Sequence, residues 1–214
     1  MRISSWTNNE AFDKDGHLLV KNICNPASLV SDYPEAKGLY KFYGKGFDEY
    51  NFQPDQEQVD GAIARYWYPQ YNEVHTELRK KIKQVIGRKL YNTYYYDRFY
   101  FSGQPLKKHK DRDACEISVS VHVATNLPDN DSQWPFKITT PEGTDASVVL
   151  KPGDGVIYKG CECEHWRDPM PYPRRRKRDL IFKKKQPEYY YHQIFFHYVL
   201  ADGMRSHFAG DRCS

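Results

Sequence analysis

Two histidines and an aspartate stand where they could do chemistry: His109 and Asp111, one residue apart, and His165 well downstream. His109-Lys110-Asp111 sits directly before a run that alternates apolar and polar residues. Strand side chains repeat every two residues, so His109 and Asp111 are expected to project to one side. An imidazole and a carboxylate side by side can hold one face of a divalent metal, although His-x-Asp alone is ordinarily a surface turn. Several strand candidates separate this pair from His165, and a rolled sheet would bring the three together. Two histidines and one carboxylate compose the facial triad that binds non-haem Fe(II) and leaves open positions for a chelating co-substrate and O2. Asp113 is the alternative carboxylate, but Asp111 is the nearer residue on the same face. Arg167 shares parity with His165 and faces the same interior if residues 161–167 form one strand. A guanidinium directed into a barrel needs an anion, and a carboxylate is its natural bidentate partner. A salt bridge to a neighbouring Asp or Glu is the alternative role for Arg167.

Other polar residues read as packing. Cys161 and Cys163 next to His165 suggest zinc, but structural zinc prefers four closed ligands from paired Cys-x2–4-Cys units, so small buried side chains are expected. His192, Gln193 and His197 lie in an aromatic run where core packing is the default, with pocket lining as the alternative. Trp134 and Trp166 are likewise expected to pack.

The elements that must position these residues follow from periodicity. Val74, Leu78, Ile82, Val85 and Ile86 form an apolar stripe of helical period, with Pro69 suiting the start and Gly87 the stop. This predicts an amphipathic helix covering a sheet. After Gly87 the period becomes two: residues 91–101 are rich in aromatics, and Cys115, Ile117, Val119, Val121 and Val123 alternate with Glu116, Ser118, Ser120 and His122. Shorter strands are expected at 17–23, 134–139, 146–150, 156–159, 161–167 and 189–200, with turns at Pro141-Glu142-Gly143 and Lys151-Pro152-Gly153-Asp154-Gly155. The predicted class is α+β, mainly β, a two-sheet sandwich or barrel with helical cover. Residues 1–214 form a single domain in this reading, with 1–90 a helix-containing support region and 91–201 the core.

The run from Tyr100 through Gly103, Gln104, His109 and Asp111 resembles the Tyr-x-x-Gly-Gln…His-x-Asp segment of prolyl 4-hydroxylase-like 2-oxoglutarate/Fe(II) dioxygenases. Leu150 to Tyr158, with its Gly153-Asp154 turn, is similar to the segment these enzymes place before their distal histidine. The resemblance spans about Tyr94 to Val199 and implies a double-stranded β-helix, or jelly roll, with His109, Asp111 and His165 as iron ligands. It further implies that 2-oxoglutarate chelates the iron and that a downstream Arg or Lys holds its far carboxylate, helped by Tyr100. Position 175 falls inside the basic run Arg174–Arg178, so Arg167 is the first choice for this cation and Arg175 the second. The implied reaction hydroxylates an unactivated C–H bond, in a prolyl residue or an amino acid, and decarboxylates 2-oxoglutarate to succinate and CO2. Ascorbate is the expected auxiliary reductant. The related halogenases have Gly or Ala where Asp111 stands, which favours hydroxylation.

Composition limits the alternatives. The chain has 214 residues, 39% hydrophobic and 28% charged, with a formal charge of +4. This excess is too small for a nucleic-acid footprint, although the basic segment 174–185 could bind an acidic partner or act as a lid. No run approaches the ~20 apolar residues of a membrane helix, and the first residues lack a secretion signal. Five scattered cysteines suit reduced thiols and a cytoplasmic setting. A non-catalytic or cupin-like metal-binding jelly roll is the alternative function, and nucleic-acid binding through 174–185 a third.

Overall fold

In the structure, a computed structural model, residues 9–29, 53–55, 58–128, 134–172 and 189–211 are described. Two short elements, α1 (Asn9–Asp15) and β1 (His17–Val20), come first, followed by β2 (Gln53–Asp55), β3 (Ala62–Tyr66) and α2 (Tyr71–Ile86). The remaining strands are β4 (Leu90–Phe101), β5 (Leu106–His109), β6 (Ile117–Thr125), β7 (Phe136–Thr139), β8 (Asp145–Val148), β9 (Gly155–Tyr158), β10 (His165–Arg167) and β11 (Tyr190–Leu200). They form a seven-stranded sheet in the order β1-β9-β6-β11-β4-β3-β2 and a four-stranded sheet in the order β5-β10-β7-β8. Every pairing is antiparallel. Both predictions of class hold: the chain is α+β and mainly β, with two sheets and a helical cover.

The helix forms where its period placed it and closes at Gly87, whose φ of 67° is left-handed, a conformation glycine adopts without a Cβ penalty. Its buried stripe, Tyr71, His75, Leu78, Ile82 and Ile86, packs on one face of the larger sheet. There it meets Tyr95, Ile117, Val119, Val121, Val123, Ile157, Ile194, Phe196 and Tyr198. The other face of that sheet looks toward the smaller one, and Phe136, Ile138, Val148, Val156 and Tyr158 close the gap between them. The polar alternates of β6 are therefore not solvated: Ser118, Ser120 and His122 are all buried and line the space between the sheets.

Charge is buried on the helix side as well. Asp97 of β4 is fully buried and accepts hydrogen bonds from Arg65 Nε (3.1 Å), Arg65 Nη2 (2.8 Å), Tyr71 Oη (3.3 Å) and His192 Nε2 (2.9 Å). This ties β3, α2, β4 and β11 together at one carboxylate.

Three expectations are corrected. The strand expected at 161–167 is only His165–Arg167, because the chain turns first: the amides of Glu162 and Cys163 both donate to the carbonyl of Lys159, at 3.2 and 2.9 Å. The strand expected at 17–23 stops at Val20. The first ninety residues contribute β1, expected from sequence, and also β2 and β3, which were not, to the two edges of the larger sheet. Arg175 and the basic segment 174–185 lie outside the described residues. Among those described, no helix is long and apolar enough to cross a membrane.

Candidate active site

Strand pairing brings the two histidines together. In the smaller sheet β10 lies between β5 and β7, and the register sets His165 directly opposite His109. Their rings are 4.4 Å apart between centroids. Asp111 follows the end of β5, its amide donating to the carbonyl of Gly160 at 2.9 Å, and its side chain turns back toward both rings. Asp111 Oδ1 lies 3.5 Å from His109 Nε2 and 3.4 Å from His165 Nε2.

The backbone sets the orientation of each imidazole. His109 Nδ1 donates to the carbonyl of Lys107 at 2.8 Å, and His165 Nδ1 to that of Cys163 at 3.0 Å. With Nδ1–H used in this way, each Nε2 presents its lone pair, the arrangement found where histidine binds a metal. Three electron-pair donors then converge, all within 4.8 Å of one another, and such a set is stable only around a positive charge. Donors on ~2.1 Å bonds at right angles would sit about 3 Å apart, so a small contraction suffices. The electrostatics agree. Burial alone would raise the Asp111 pKa, yet the two imidazoles hold it well below the usual carboxylate range. Burial likewise pushes His109 toward neutrality, but Asp111 more than offsets this and raises its pKa.

Arg167 lies two residues beyond His165 on the same face of β10, about 7 Å along the strand, and both are buried. Its Nη1 donates to the carbonyl of Trp134 and its Nη2 to Gln193 Oε1 at 2.9 Å. The guanidinium also sits over the rings of Trp134 and Tyr191, 4.6 and 4.9 Å from their centroids. Among the described residues it has no carboxylate partner, so the salt-bridge alternative is not realised there. Its Nε, Gln193 Nε2 and the Tyr191 hydroxyl are buried without hydrogen-bond partners among the described residues. A buried cation with idle donors around it is costly unless an anion joins it. A carboxylate is the group whose charge and acceptors match these donors. His122, stacked on Tyr191 at 3.9 Å, is kept neutral beside it: burial, aided by the Arg167 charge, holds its pKa down to about 4.

The other residues considered from sequence divide clearly. Tyr100 is buried with its hydroxyl accepting from Arg98 Nη1 at 3.0 Å and its ring edge-on to Trp134. Asp113 is exposed and paired with Arg205 at 2.7 Å, away from the histidines. Cys161 Sγ donates to the carbonyl of Arg112, and Cys163 packs between the sheets. Neither belongs to a metal-capable group among the described residues, so no zinc cluster forms around them. Of the residues on β11, His192 turns to Asp97 on the helix side, Gln193 holds Arg167, and His197 reaches Ser118 beside Asp111. Sequence reasoning missed Ser118 and Gly160. The alternation of β6 was the available signal, since it put Ser118 on one face with Ser120 and His122.

No family model and no curated protein matches the sequence. Solved structures do match. A Pseudomonas putida prolyl-4-hydroxylase is similar at 14% identity and TM-score 0.60, over 88% of this chain and 96% of that one. AviO1 from Streptomyces viridochromogenes Tue57 is 14% identical with TM-score 0.62, over 95% and 98% of the two chains. HygX from Streptomyces hygroscopicus, solved with nickel, 2-oxoglutarate and hygromycin B bound, is 9% identical with TM-score 0.56, over 87% and 84%. The chain thus has the jelly-roll fold of prolyl 4-hydroxylase-like 2-oxoglutarate/Fe(II) oxygenases.

Proposed function

We propose that this chain is a non-haem Fe(II)/2-oxoglutarate-dependent dioxygenase that hydroxylates an unactivated C–H bond. The observation that carries the reading is one strand face: His165 completes a convergent pair of Nε2 lone pairs with the Asp111 carboxylate, and Arg167, next on that face, is a buried cation awaiting an anion. His109, Asp111 and His165 hold Fe(II) in this reading, and Arg167 pairs with the far carboxylate of 2-oxoglutarate. Tyr191 and Gln193 add hydrogen bonds, while Tyr100 closes the pocket by packing on Trp134. Bound there, the iron and its co-substrate supply O2 activation coupled to decarboxylation of 2-oxoglutarate to succinate and CO2. The chain's own part is to fix the ligand tautomers, orient the co-substrate and keep water out with the aromatic walls around Arg167.

The substrate class proposed is a prolyl residue of a peptide or a small molecule such as an amino acid. Structural neighbours include a prolyl hydroxylase and a protein holding hygromycin B. Ascorbate would serve as auxiliary reductant. The free thiols of Cys24, Cys115, Cys161 and Cys163 suit a reducing, cytoplasmic setting. The proposed domain organisation is one unit, with residues 91–201 supplying every site residue named above.

The test is release of CO2 and succinate from 2-oxoglutarate. The wild type should turn over 2-oxoglutarate only with both Fe(II) and O2, and His109→Ala should lose at least ~100-fold in rate. Turnover that ignores iron, or a His109→Ala variant as active as wild type, would refute the assignment.

A further inference from the structure

We infer that Gly160, Ser118 and His197 form a brace that pins the second oxygen of Asp111, so that this carboxylate offers the metal one oxygen only. The inference deepens the proposed function and rests on Asp111 being a metal ligand.

The brace is a hydrogen-bonded chain. His197 Nδ1 donates to Ser118 Oγ at 2.9 Å, and Ser118 Oγ in turn donates to Asp111 Oδ2 at 2.9 Å. Ser118 Oγ also lies 3.2 Å from the carbonyl of Cys115, but the ionised carboxylate is the stronger acceptor. Both members are buried. His197 packs against the rings of both Tyr94 and Tyr96, with centroids 4.6 and 5.8 Å away. Its carbonyl is held by His75 Nε2 at 3.0 Å. Each donor is thus positioned by packing before any metal arrives.

Gly160 supplies the space. A Cβ there would lie 2.5 Å from Asp111 Oδ2 and 2.9 Å from Ser118 Oγ, and closer still to the carbonyl of Cys115. Gly160 is not among the residues with positive φ, so its backbone would accept a side chain; only the room is lacking. The same residue anchors the main chain of Asp111 through its carbonyl. Held by the Ser118 hydroxyl and walled in by Gly160 on the far side, Oδ2 is kept from swinging to the metal. A two-oxygen carboxylate would fill one more position, and that position is the one O2 needs.

Asp111, Cys115 and His197 also lie close enough to be considered a second metal group. Most of their polar atoms are already engaged: Cys115 Sγ meets the Tyr94 hydroxyl at 3.1 Å, and His197 Nδ1 and Asp111 Oδ2 meet at Ser118, while His197 Nε2 is buried without a partner among the described residues. The cluster is therefore scaffold for the first site.

Anaerobic Co2+ titration of the metal-free chain, followed by its visible ligand-field spectrum, tests this. The wild type should bind one equivalent. His197→Phe and Gly160→Ala should each weaken binding by about 10–100-fold, the usual cost of losing an outer-shell partner, and should change the spectrum as Asp111 becomes two-oxygen. His197→Asn, which can return an N–H near the position of Nδ1, should restore most of both. Ser118→Ala gives an independent check, and thermal melting of each metal-free variant separates misfolding from lost bracing. If His109→Ala abolishes binding but His197→Phe, Ser118→Ala and Gly160→Ala bind as wild type does, the brace is wrong and the proposed function stands. A second equivalent lost in Cys115→Ser would also overturn the brace. A wild type that takes up no Co2+ sinks both.

Discussion

Arg167→Met is expected to abolish measurable 2-oxoglutarate binding while leaving the ligand-free protein at least as stable as wild type. The guanidinium is buried with Trp134, Phe136 and Tyr191 around it, and its polar contacts are neutral: a carbonyl and the Gln193 amide oxygen. Without its anion, the folded protein carries an uncompensated buried charge. Replacing such a charge by an apolar side chain of similar length is commonly neutral or stabilising by ~1–4 kcal/mol. Loss of two hydrogen bonds to Trp134 and Gln193 offsets part of this, so the expected gain is between zero and about 2 kcal/mol. The wild type should melt higher as 2-oxoglutarate is added with a redox-inert divalent metal, by the amount mass action dictates. The variant should start at or above the wild-type melting temperature and not respond. A variant that is strongly destabilised without ligand, or that still responds to 2-oxoglutarate, would assign Arg167 a structural role instead.

Asp97→Asn should destabilise the fold by about 3–5 kcal/mol, a large share of the ~5–15 kcal/mol typical of a domain. The amide keeps the volume but removes the negative charge from the centre of a buried network. It loses the charge that faces Arg65 and one of the two acceptor oxygens, and it sets an NH2 against a neighbouring N–H donor. The pH dependence has a definite sign. Burial works against ionisation of Asp97, but the hydrogen bond from His192 and the charge of Arg65 outweigh it and lower the pKa. A carboxylate whose pKa is lower in the folded state stabilises above its unfolded value of about 3.9, and this is lost as pH falls through the folded value. His192 is held below its ordinary value by burial, despite Asp97, so acid also opposes folding by charging it. Urea midpoints of the wild type should therefore fall as pH drops below about 6.5 and again below about 4. The lower step should be smaller in the Asn variant, with Asp111, also held below the usual carboxylate range, retaining its share. An unchanged midpoint in the variant at pH 7 would contradict this account of the network.

The long elements were legible because their patterns run uninterrupted for ten residues or so. Helix α2 declared itself by one apolar stripe and a closing glycine, and β4, β6 and β11 by aromatic density or alternation. Strands β2, β3 and β5 were not: three to five residues show no period, and they lie apart from the turns at 141–143 and 151–155 that set off the equally short β7, β8 and β9. Ala62–Tyr66 does not alternate, because its first four residues are buried whichever way they point. Residues 161–163 passed for strand because Cys-Glu-Cys-Glu-His alternates by chance, while the turn depends on contacts of Lys159 and Gly160. At the site, the types and parity of His109, Asp111, His165 and Arg167 suggested a common face. Their convergence came from the β5–β10 register, which no local pattern records. His197 was discounted because an aromatic strand buried on both faces gives no hint which face meets a carboxylate. The role argued for Gly160 is a matter of empty space, and sequence carries no direct sign of that.

Crystals grown anaerobically with Mn2+ and 2-oxoglutarate offer the most direct measurement, through the anomalous scattering of the metal. One peak should appear within bonding distance of Nε2 of residues 109 and 165 and of a single oxygen of residue 111, with the co-substrate's distal carboxylate on the guanidinium of residue 167. A metal bound elsewhere, or a co-substrate whose distal end turns away from that guanidinium, would contradict the account.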